Sequence, residues 1–435
     1  MEKLFSEFNA ASAQDWKQQI IKDLKGADFE KLIWHNPNGF KVNPFYTSED
    51  LIEKPQPLFT HSNWEICIEI IVDNEKTANA NALKALMSGA SSLIFVVSKK
   101  IDFAVLLNEI SIEHIELNFE LKYADADFIT DFFSYLKQEG ILTEKINGSV
   151  SFDAVGIVEE TREDNFKMKT TCINASLYQN AGATQSFELA CALVHAHEEL
   201  VWLSGENIIY KKPMRFTFAV GTDFFVEIAK LRALRKLWPA IAKEYNANPE
   251  IYLHCETSLL NKSSLDANNN MLRTTTEGMS AVIGGCNSLT VNSYNAGFEN
   301  SNDFSERISR NQQLIFKEES YLDKVADIGA GSYYLEKLTD EIAAKAWDEF
   351  KFMESKGGFI ACLGSNYIQN KIAEQATELI RKFRESQLVL VGVNKFQNPK
   401  EKQESAVGSW QLAANTDVGT MKPICVSDYL IKENA

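Results

Sequence analysis

The fold is decided by IYLH (251–254), NNNMLRTTTEGMSAVI (268–283) and SLTV (288–291), which follow one another with short connections. The first and last runs are short and mostly apolar, which is typical of strands, whereas the middle run is longer and carries apolar residues at helical spacing. A strand, a helix and a strand in this order predict a unit with two parallel strands joined by a right-handed crossover.

The same alternation continues along the chain. Further strand-like runs occupy 64–72, 92–97, 114–119, 149–152, 171–175 and 215–218. Amphipathic segments lie between most of the runs, at 76–88, 126–138, 184–203, 223–245 and 303–319. About eight repeats of strand and helix predict an α/β protein with a (β/α)8 TIM barrel. Because most runs look almost continuously hydrophobic, we expect strands that are buried on both faces. An open, doubly wound sheet is the alternative, but no linker divides the chain near its middle.

Additional segments flank the barrel. We expect an N-terminal arm over 1–55, the barrel over 56–335 and a helical C-terminal extension over 336–435. In the arm, Ser12 and Asp15 form a capping box at the start of a helix, and an extended stretch surrounds Pro44. The arm is rich in aromatic residues, so it must pack either on its own barrel or on a partner subunit.

Composition excludes several classes of function. The net charge of −16 repels a nucleic-acid backbone, so we expect no nucleic-acid partner. The longest apolar runs, such as SLIFVV, are too short to span a bilayer, so we expect no membrane partner. Seven scattered cysteines without a CxxC pair, and a start without an apolar leader, indicate a cytoplasmic protein with reduced thiols.

Generic motifs identify no catalytic centre. The glycines at 284–285 and 329–331 lack the spacing of a phosphate-binding loop, and the histidines at 195 and 197 do not share a helix face. In a barrel of this type, chemistry lies at the carboxyl ends of the strands. The candidate residues at the barrel mouth are therefore His254, Glu256, Asn292 and Tyr178.

Longer motifs carry a family resemblance over about residues 170–396. They are EIAKLRA (227–233), RKLW (235–238), HCETS (254–258), RTT (273–275), RNQQL (310–314), GSYY (331–334) and VGVNK (391–395). In identity and order they resemble motifs of the cobalamin-dependent methylmalonyl-CoA mutase family. The resemblance implies a TIM barrel that, in catalytic chains, holds adenosylcobalamin against a C-terminal flavodoxin-like domain.

The chain departs from the family pattern at the positions that carry chemistry. The family's Tyr-His pair is replaced by Ser176 and Leu177, and leucine cannot donate a hydrogen bond to a thioester carbonyl. The family's His-x-Gln is His254-x-Glu256. A glutamate expected on the adenosyl ribose is Ala296.

Three segments are also reduced or missing. The N-terminal Arg-Gln-Tyr motif is not found, and the long insertion after the fourth strand is reduced to 153–169. The Asp-x-His-x-x-Gly signature does not occur, so we expect no cobalamin-binding flavodoxin-like domain. The resemblance and these losses together imply a non-catalytic (beta) subunit with no catalytic, cofactor-binding or metal-binding residue of its own.

The implied partner is a catalytic alpha subunit that carries adenosylcobalamin and interconverts methylmalonyl-CoA and succinyl-CoA. The residues expected at the interface of this heterodimer are the aromatic anchors Phe5, Trp16, Phe45 and Tyr46. Two alternatives stay open. One is an active mutase barrel whose cobalamin domain lies on a separate chain. The other is a barrel recruited to a different small-molecule reaction, with Glu256, His254 and Tyr178 as acid–base groups.

Overall fold

The computed structural model describes residues 7, 9, 11–51, 53–152, 166–398 and 421–427. The arm begins with helix α1 (Ala13–Asp23), which has the predicted capping box between Ser12 and Asp15. Strands β1 (Trp34–His35) and β2 (Lys41–Val42) then form an antiparallel hairpin. Short 3₁₀ turns occupy Phe29–Leu32 and Ser48–Asp50.

The barrel is one sheet of eight parallel strands. They are β3 (Glu65–Ile71), β4 (Ser92–Val97), β5 (Glu116–Leu121), β6 (Asn147–Phe152), β7 (Cys172–Asn174), β8 (Met214–Val220), β9 (Ile251–Thr257) and β10 (Ser288–Thr290). The order is β6-β5-β4-β3-β10-β9-β8-β7, so β3 and β10 are neighbours. Between β6 and β7, the backbone of Lys169 bonds to Gly148 and Val150 at 2.9 Å and closes the seam. The predicted (β/α)8 TIM barrel is confirmed.

Helices between the strands cover the outside of the sheet. They are α2 (Glu75–Met87), α3 (Phe103–Leu106), α4 (Phe128–Glu139), α5 (Ser176–Asn180), α6 (Gln185–Gly205), α7 (Phe224–Glu244), α8 (Asn269–Ile283) and α9 (Asp303–Glu318). Most of the reduced insertion predicted at 153–169 lies outside the described residues.

Three more helices follow the last barrel unit. They are α10 (Tyr333–Ser355), α11 (Gly358–Gly364) and α12 (Tyr367–Arg384). Helix α10 packs across α6 and α7, so the C-terminal helices form an outer layer on the barrel. The domain boundaries after 55 and after 335 stay predictions. In the described part of the chain, no helix is long and apolar enough to cross a membrane. No disulfide bond is present in the described part of the chain.

The expectation that the strands are buried on both faces agrees with the burial of β4, β5, β8 and β9, but several of these strands are not continuously hydrophobic. β5 (ELNFEL), β8 (MRFTFAV) and β9 (IYLHCET) alternate instead. Their outward side chains join the apolar layer beneath the helices, as Leu117, Phe119, Phe216 and Leu253 do. The side chains between them point into the barrel. Alternation therefore gives this barrel a polar interior.

A hydrogen-bonded network fills the amino-terminal half of that interior. The Glu116 carboxylate on β5 accepts from the Tyr252 hydroxyl on β9 and, at 3.1 Å, from Ser92 Oγ on β4. Because β5 and β9 are not adjacent in the sheet, the bond from Tyr252 crosses the barrel. Lys169 Nζ lies 3.8 Å from Glu116 Oε1 and 4.0 Å from the centre of the Tyr252 ring. The buried charge of Glu116 is thus both hydrogen-bonded and faced by a cation.

The same network reaches the strands at the seam. Arg215 Nη1 on β8 donates to Ser149 Oγ on β6 at 2.6 Å. Ser149 Oγ donates in turn to Asn118 Oδ1 on β5 at 2.7 Å. These bonds join β8 to β6 and β5 directly and bypass β7, which is short. Side chains therefore reinforce the part of the barrel where backbone hydrogen bonds between strands are fewest.

The arm packs on its own barrel only in part. Phe40 and Val42, in and beside the hairpin, are buried in the main apolar cluster. By contrast, α1 has no buried residue, and the Trp16 side chain is 57% exposed. The hairpin therefore belongs to this chain's core, whereas α1, whose Trp16 contacts Phe45 of the arm, stays largely exposed.

Candidate functional site

Three glutamates converge at the carboxyl ends of the barrel strands. Glu69 on β3, Glu120 on β5 and Glu256 on β9 occupy inward positions close enough for their charges to affect one another. Glu69 is exposed, and Ile71 two residues later is 64% exposed, although β3 has a neighbour on each side. An exposed side chain on the inner face of a closed sheet means that solvent reaches the upper interior.

Burial and the neighbouring carboxylate charges raise the pKa values of Glu69 and Glu256. Burial, with the charges of Glu120 and Glu256, raises the pKa of Glu69 to about 8. Burial also raises the pKa of Glu256 to about 7, an effect that a hydrogen bond with Ser176 partly opposes. The Glu69 carboxyl lies in a narrow space. Water reaches the carboxyl there, although protein surrounds it on several sides. Lys122 Nζ, 2.5 Å from Glu120 Oε1, is the cation that partly offsets the three carboxylates.

The residues that replace the family's Tyr-His pair lie on α5 at this mouth. Ser176 Oγ donates to Asn174 Oδ1 at 2.8 Å. Leu177 is half-buried and packs against the main apolar cluster. Asn180 Nδ2 donates to Glu256 Oε1 at 3.4 Å. Helix α5 therefore presents a hydroxyl, an amide and a hydrocarbon side chain, none of which can act as an acid or base near neutral pH.

Two of the candidates predicted at the mouth lie elsewhere. His254 is 1% exposed in the middle of β9, with Nδ1 2.7 Å from Ser288 Oγ, and burial lowers its pKa well below the usual value. Tyr178 is buried in the apolar layer behind the sheet, because the third residue of α5 points away from the mouth. Burial raises the pKa of Tyr178 well above its usual value. For both, the expectation of a mouth position is wrong.

The other two candidates do lie near the rim. Asn292 follows β10, but its Nδ2 donates to the Thr257 carbonyl at 2.6 Å and its backbone N–H donates to Thr257 Oγ1 at 2.9 Å. The Asn292 amide is therefore engaged with the neighbouring strand. Glu256 alone among the four candidates presents an ionisable group to the mouth.

Sequence reasoning missed Glu69, Glu120 and Lys122. The signal that could have found them is the alternation in EICIEII (65–71) and ELNFEL (116–121). In each run, glutamate occupies an inward position close to the carboxyl end of the strand. Glutamate is rarely placed on a buried strand face unless it is paired or functional.

The chain's own C-terminal residues cover one side of the mouth. Ile424 N donates to Asn180 O at 2.9 Å, and Val426 N donates to Leu260 O at 3.0 Å. Cys425 Sγ lies 2.9 Å from Lys262 O. Residues 421–427 therefore lie against α5 and the loop after β9, and they narrow the approach to the interior.

Comparison with known sequences identifies the scaffold. The sequence model of the methylmalonyl-CoA mutase family matches residues 154–417. The chain belongs to this family. It is 37% identical to the methylmalonyl-CoA mutase small subunit of Porphyromonas gingivalis, over 91% of this chain and 71% of that protein.

Other members of the methylmalonyl-CoA mutase family are more distant and longer. Identity is 28% to the mutase of Rhizobium meliloti and 26% to the human mitochondrial mutase. The chain spans 64% and 61% of their lengths, respectively. A solved methanol:cobalamin methyltransferase complex from Methanosarcina barkeri aligns over 81% of this chain and 91% of its own, with 11% identity. Its TM-score of 0.23 is too low to bear on the fold.

The acidic mouth of this mutase-family barrel predicts a pH-dependent stability. The pKa values of Glu69 and Glu256 are higher in the folded chain than the usual 4.5, so the folded state binds more protons than the unfolded state. Stability should therefore decrease as pH rises from about 4.5 to about 8. We expect Glu69→Gln to raise the melting temperature at pH 8.5 and to change it little at pH 5, as thermal unfolding would measure.

Glu250→Gln is the control for this experiment, because Glu250 is exposed just before β9, away from the mouth. It should leave the melting temperature unchanged at both pH values. Equal effects of Glu69→Gln at pH 5 and pH 8.5 would contradict the protonation argument.

Proposed function

We propose that this chain is the non-catalytic small subunit of a heterodimeric methylmalonyl-CoA mutase. In this proposal, the large subunit holds adenosylcobalamin and interconverts methylmalonyl-CoA and succinyl-CoA, while this chain supports its folding and activity. The relationship to the Porphyromonas gingivalis small subunit supports the assignment. A cytoplasmic location is part of the proposal.

The acidic barrel interior is the observation that carries this proposal. The acyl-CoA substrates bear a carboxylate on the acyl group and phosphates on the nucleotide, so they are strongly anionic. Glu69 and Glu256 lie where such an acyl group would enter, and Lys122 is already paired with Glu120. Above about pH 8, where the Glu69 and Glu256 carboxyls are largely ionised, two like charges about 4 Å apart repel by about 4 kcal/mol at an effective dielectric constant near 20. Repulsion of this size costs a factor of about 1,000 in affinity.

The residues at the rim also fit adenosylcobalamin poorly. The family resemblance places an asparagine and a glutamate near the adenosyl ribose. Here the Asn292 amide is held by Thr257, and Ala296 offers no side-chain acceptor. We therefore assign cofactor binding to the large subunit and derive no reaction step in this chain.

The two alternative functions have less support. An active mutase barrel with its cobalamin domain on another chain needs a hydrogen-bond donor at the position of Leu177. A different acid–base reaction would need Glu256, His254 and Tyr178 around one substrate. His254 is enclosed below the rim and Tyr178 lies behind the sheet, so the structure does not bring these three together.

The arm supplies the surface that we assign to the partner. Trp16 on α1 contacts the Phe45 ring at a centroid distance of 5.2 Å, and Ile21 is 47% exposed. Tyr46 packs at 5.9 Å on Tyr334 of the outer helical layer and anchors this surface to the barrel. Phe5 lies outside the described residues. An exposed aromatic pair on a fixed base has the form of an interface hot spot.

The first test of the proposal is activity. This chain and the large subunit encoded in the same genome are purified together and separately, and conversion of methylmalonyl-CoA is measured with adenosylcobalamin. We expect the isolated chain to be inactive and the complex to be active. Glu256→Gln and Leu177→Ala in this chain should change the activity of the complex less than about twofold. Turnover by the isolated chain, or a tenfold loss with Glu256→Gln, would show that this barrel has its own active site.

The second test is the interface. We expect Trp16→Ala to weaken the heterodimer at least about 30-fold, because a hot-spot aromatic contributes at least about 2 kcal/mol. Trp202→Ala, at a tryptophan on α6 that is 39% exposed, is the matched control and should leave affinity unchanged. Dissociation constants from sedimentation equilibrium measure both effects. Undiminished affinity of Trp16→Ala would place the partner on another surface.

A further inference from the structure

A second cavity opens beside the barrel mouth. It encloses about 560 Å³ at the carboxyl edge of β7, β8 and β9. The loops after these strands form its base, and the arm hairpin and α12 form its walls. A cavity of this size falls within the range of small-molecule sites. Its position differs from that of the glutamate-lined interior, and nothing in the mutase assignment requires it.

Much of the cavity wall is apolar. Trp34 from the hairpin, Leu260 from the loop after β9, and Val389 and Leu390 from the segment after α12 line it. Trp34 and Val389 are 39% and 40% exposed, although both are large and hydrophobic. A ligand with an apolar body would remove this surface from water, which is favourable.

One carboxylate at the base has no partner. Asp223 occupies the N-cap position of α7, yet its side chain caps no helix N–H. It makes no hydrogen bond or ion pair within the described residues. Burial, with the nearby charge of Glu227, raises the pKa of Asp223 to about 6. Glu227 itself is paired with Lys230 at 2.6 Å. Asp223 is therefore the poorly solvated charge that a ligand could neutralise.

The alternative of an anionic ligand is disfavoured, because the donors that could bind it are either hydrogen-bonded elsewhere or lie beside a carboxylate. At the start of α6, Thr184 N donates to Gln375 Oε1 at 2.9 Å, and Ser186 N donates to Asn38 Oδ1 at 2.8 Å. The start of α7 already faces its own Asp223. Lys382, the lysine on the wall, lies 3.6 Å from Glu378 Oε1. These contacts therefore favour a positively charged ligand over an anionic one.

We propose that this cavity binds a small organic cation in which a primary ammonium group is joined to an apolar body. The ammonium donates hydrogen bonds to the Asp223 carboxylate, and the apolar body lies along Trp34 and Leu390. An ammonium facing one carboxylate in a partly enclosed site gains a charge-assisted hydrogen bond.

Calorimetric titration of the full chain tests this proposal with two matched probes. They are 2-phenylethylamine and 3-phenylpropionate, which have the same ring and opposite charges. We expect saturable binding of the amine and none of the carboxylate. Asp223→Asn should weaken amine binding at least about tenfold. Asp348→Asn, at an exposed aspartate on α10, should leave binding unchanged.

A second variant locates the site without removing a charge. Val389→Trp places a larger ring in the wall and should abolish amine binding, while the melting temperature shows that the chain stays folded. The proposal is overturned if the carboxylate binds as well as the amine. It is also overturned if Asp223→Asn and Val389→Trp bind the amine as the unchanged chain does, or if the amine shows no saturable binding in the millimolar range.

Discussion

The structure depends on the hydrogen bond that crosses the barrel from Tyr252 to Glu116. It joins β9 to β5 through the interior, so it fixes the separation of strands that do not touch along the sheet. Lys169 faces the same carboxylate and, through its backbone, bridges β6 to the segment before β7. The buried charge of Glu116 therefore interacts both with the strand across the interior and with the residue that bridges the seam. Removing Lys169 would leave the buried charge of Glu116 without a cation, and removing Glu116 would leave the buried charge of Lys169 without an anion. Either change would leave a buried charge uncompensated, which is costly.

This balance does not extend to the carboxyl ends of the strands. At the amino-terminal level Glu116 is matched by Lys169 and Tyr252, whereas at the mouth Glu69 and Glu256 share only Lys122 with Glu120. Burial, together with this excess of carboxylates, raises the pKa values of Glu69 and Glu256 at the mouth. The amino-terminal half of the barrel interior is therefore charge-balanced, whereas the mouth carries an excess of carboxyl groups. A scaffold with those properties can keep the family's fold and assembly surfaces while another chain performs the chemistry.

Sequence predicted the barrel because the alternation of strand and helix is local and repeated. It also predicted that Ser176 and Leu177 lie at the mouth, because the family motif fixes their place after β7. Sequence reasoning misplaced Tyr178, because the direction in which each side chain of a five-residue helix points depends on tertiary packing, which a short sequence pattern does not encode. It treated the strands as uniformly apolar, and so it overlooked the inward glutamates.

Other features could not be read from sequence at all. Glu69 and Glu120 lie 51 positions apart, and only the folded sheet brings them to the same end of the barrel, where Glu120 is in register through Val96 with Ile71, two residues after Glu69. The cavity beside Asp223 is assembled from the arm, three loops and α12, which are distant along the chain. The alternation of polar and apolar residues within one strand can be read from the sequence. The convergence of side chains from different strands can be seen only in the folded sheet.

Binding of succinyl-CoA to the isolated chain tests the central claim most directly. Isothermal titration calorimetry at pH 8.5, where the Glu69 and Glu256 carboxyls are largely ionised, should show no saturable heat for the unchanged chain, because these carboxylates repel the acyl carboxylate and the nucleotide phosphates. One-to-one binding in the micromolar range, lost when a bulky residue replaces Ser176, would contradict the account. It would mean that the interior accepts the substrate despite its glutamates, and that the chain is more than a supporting subunit.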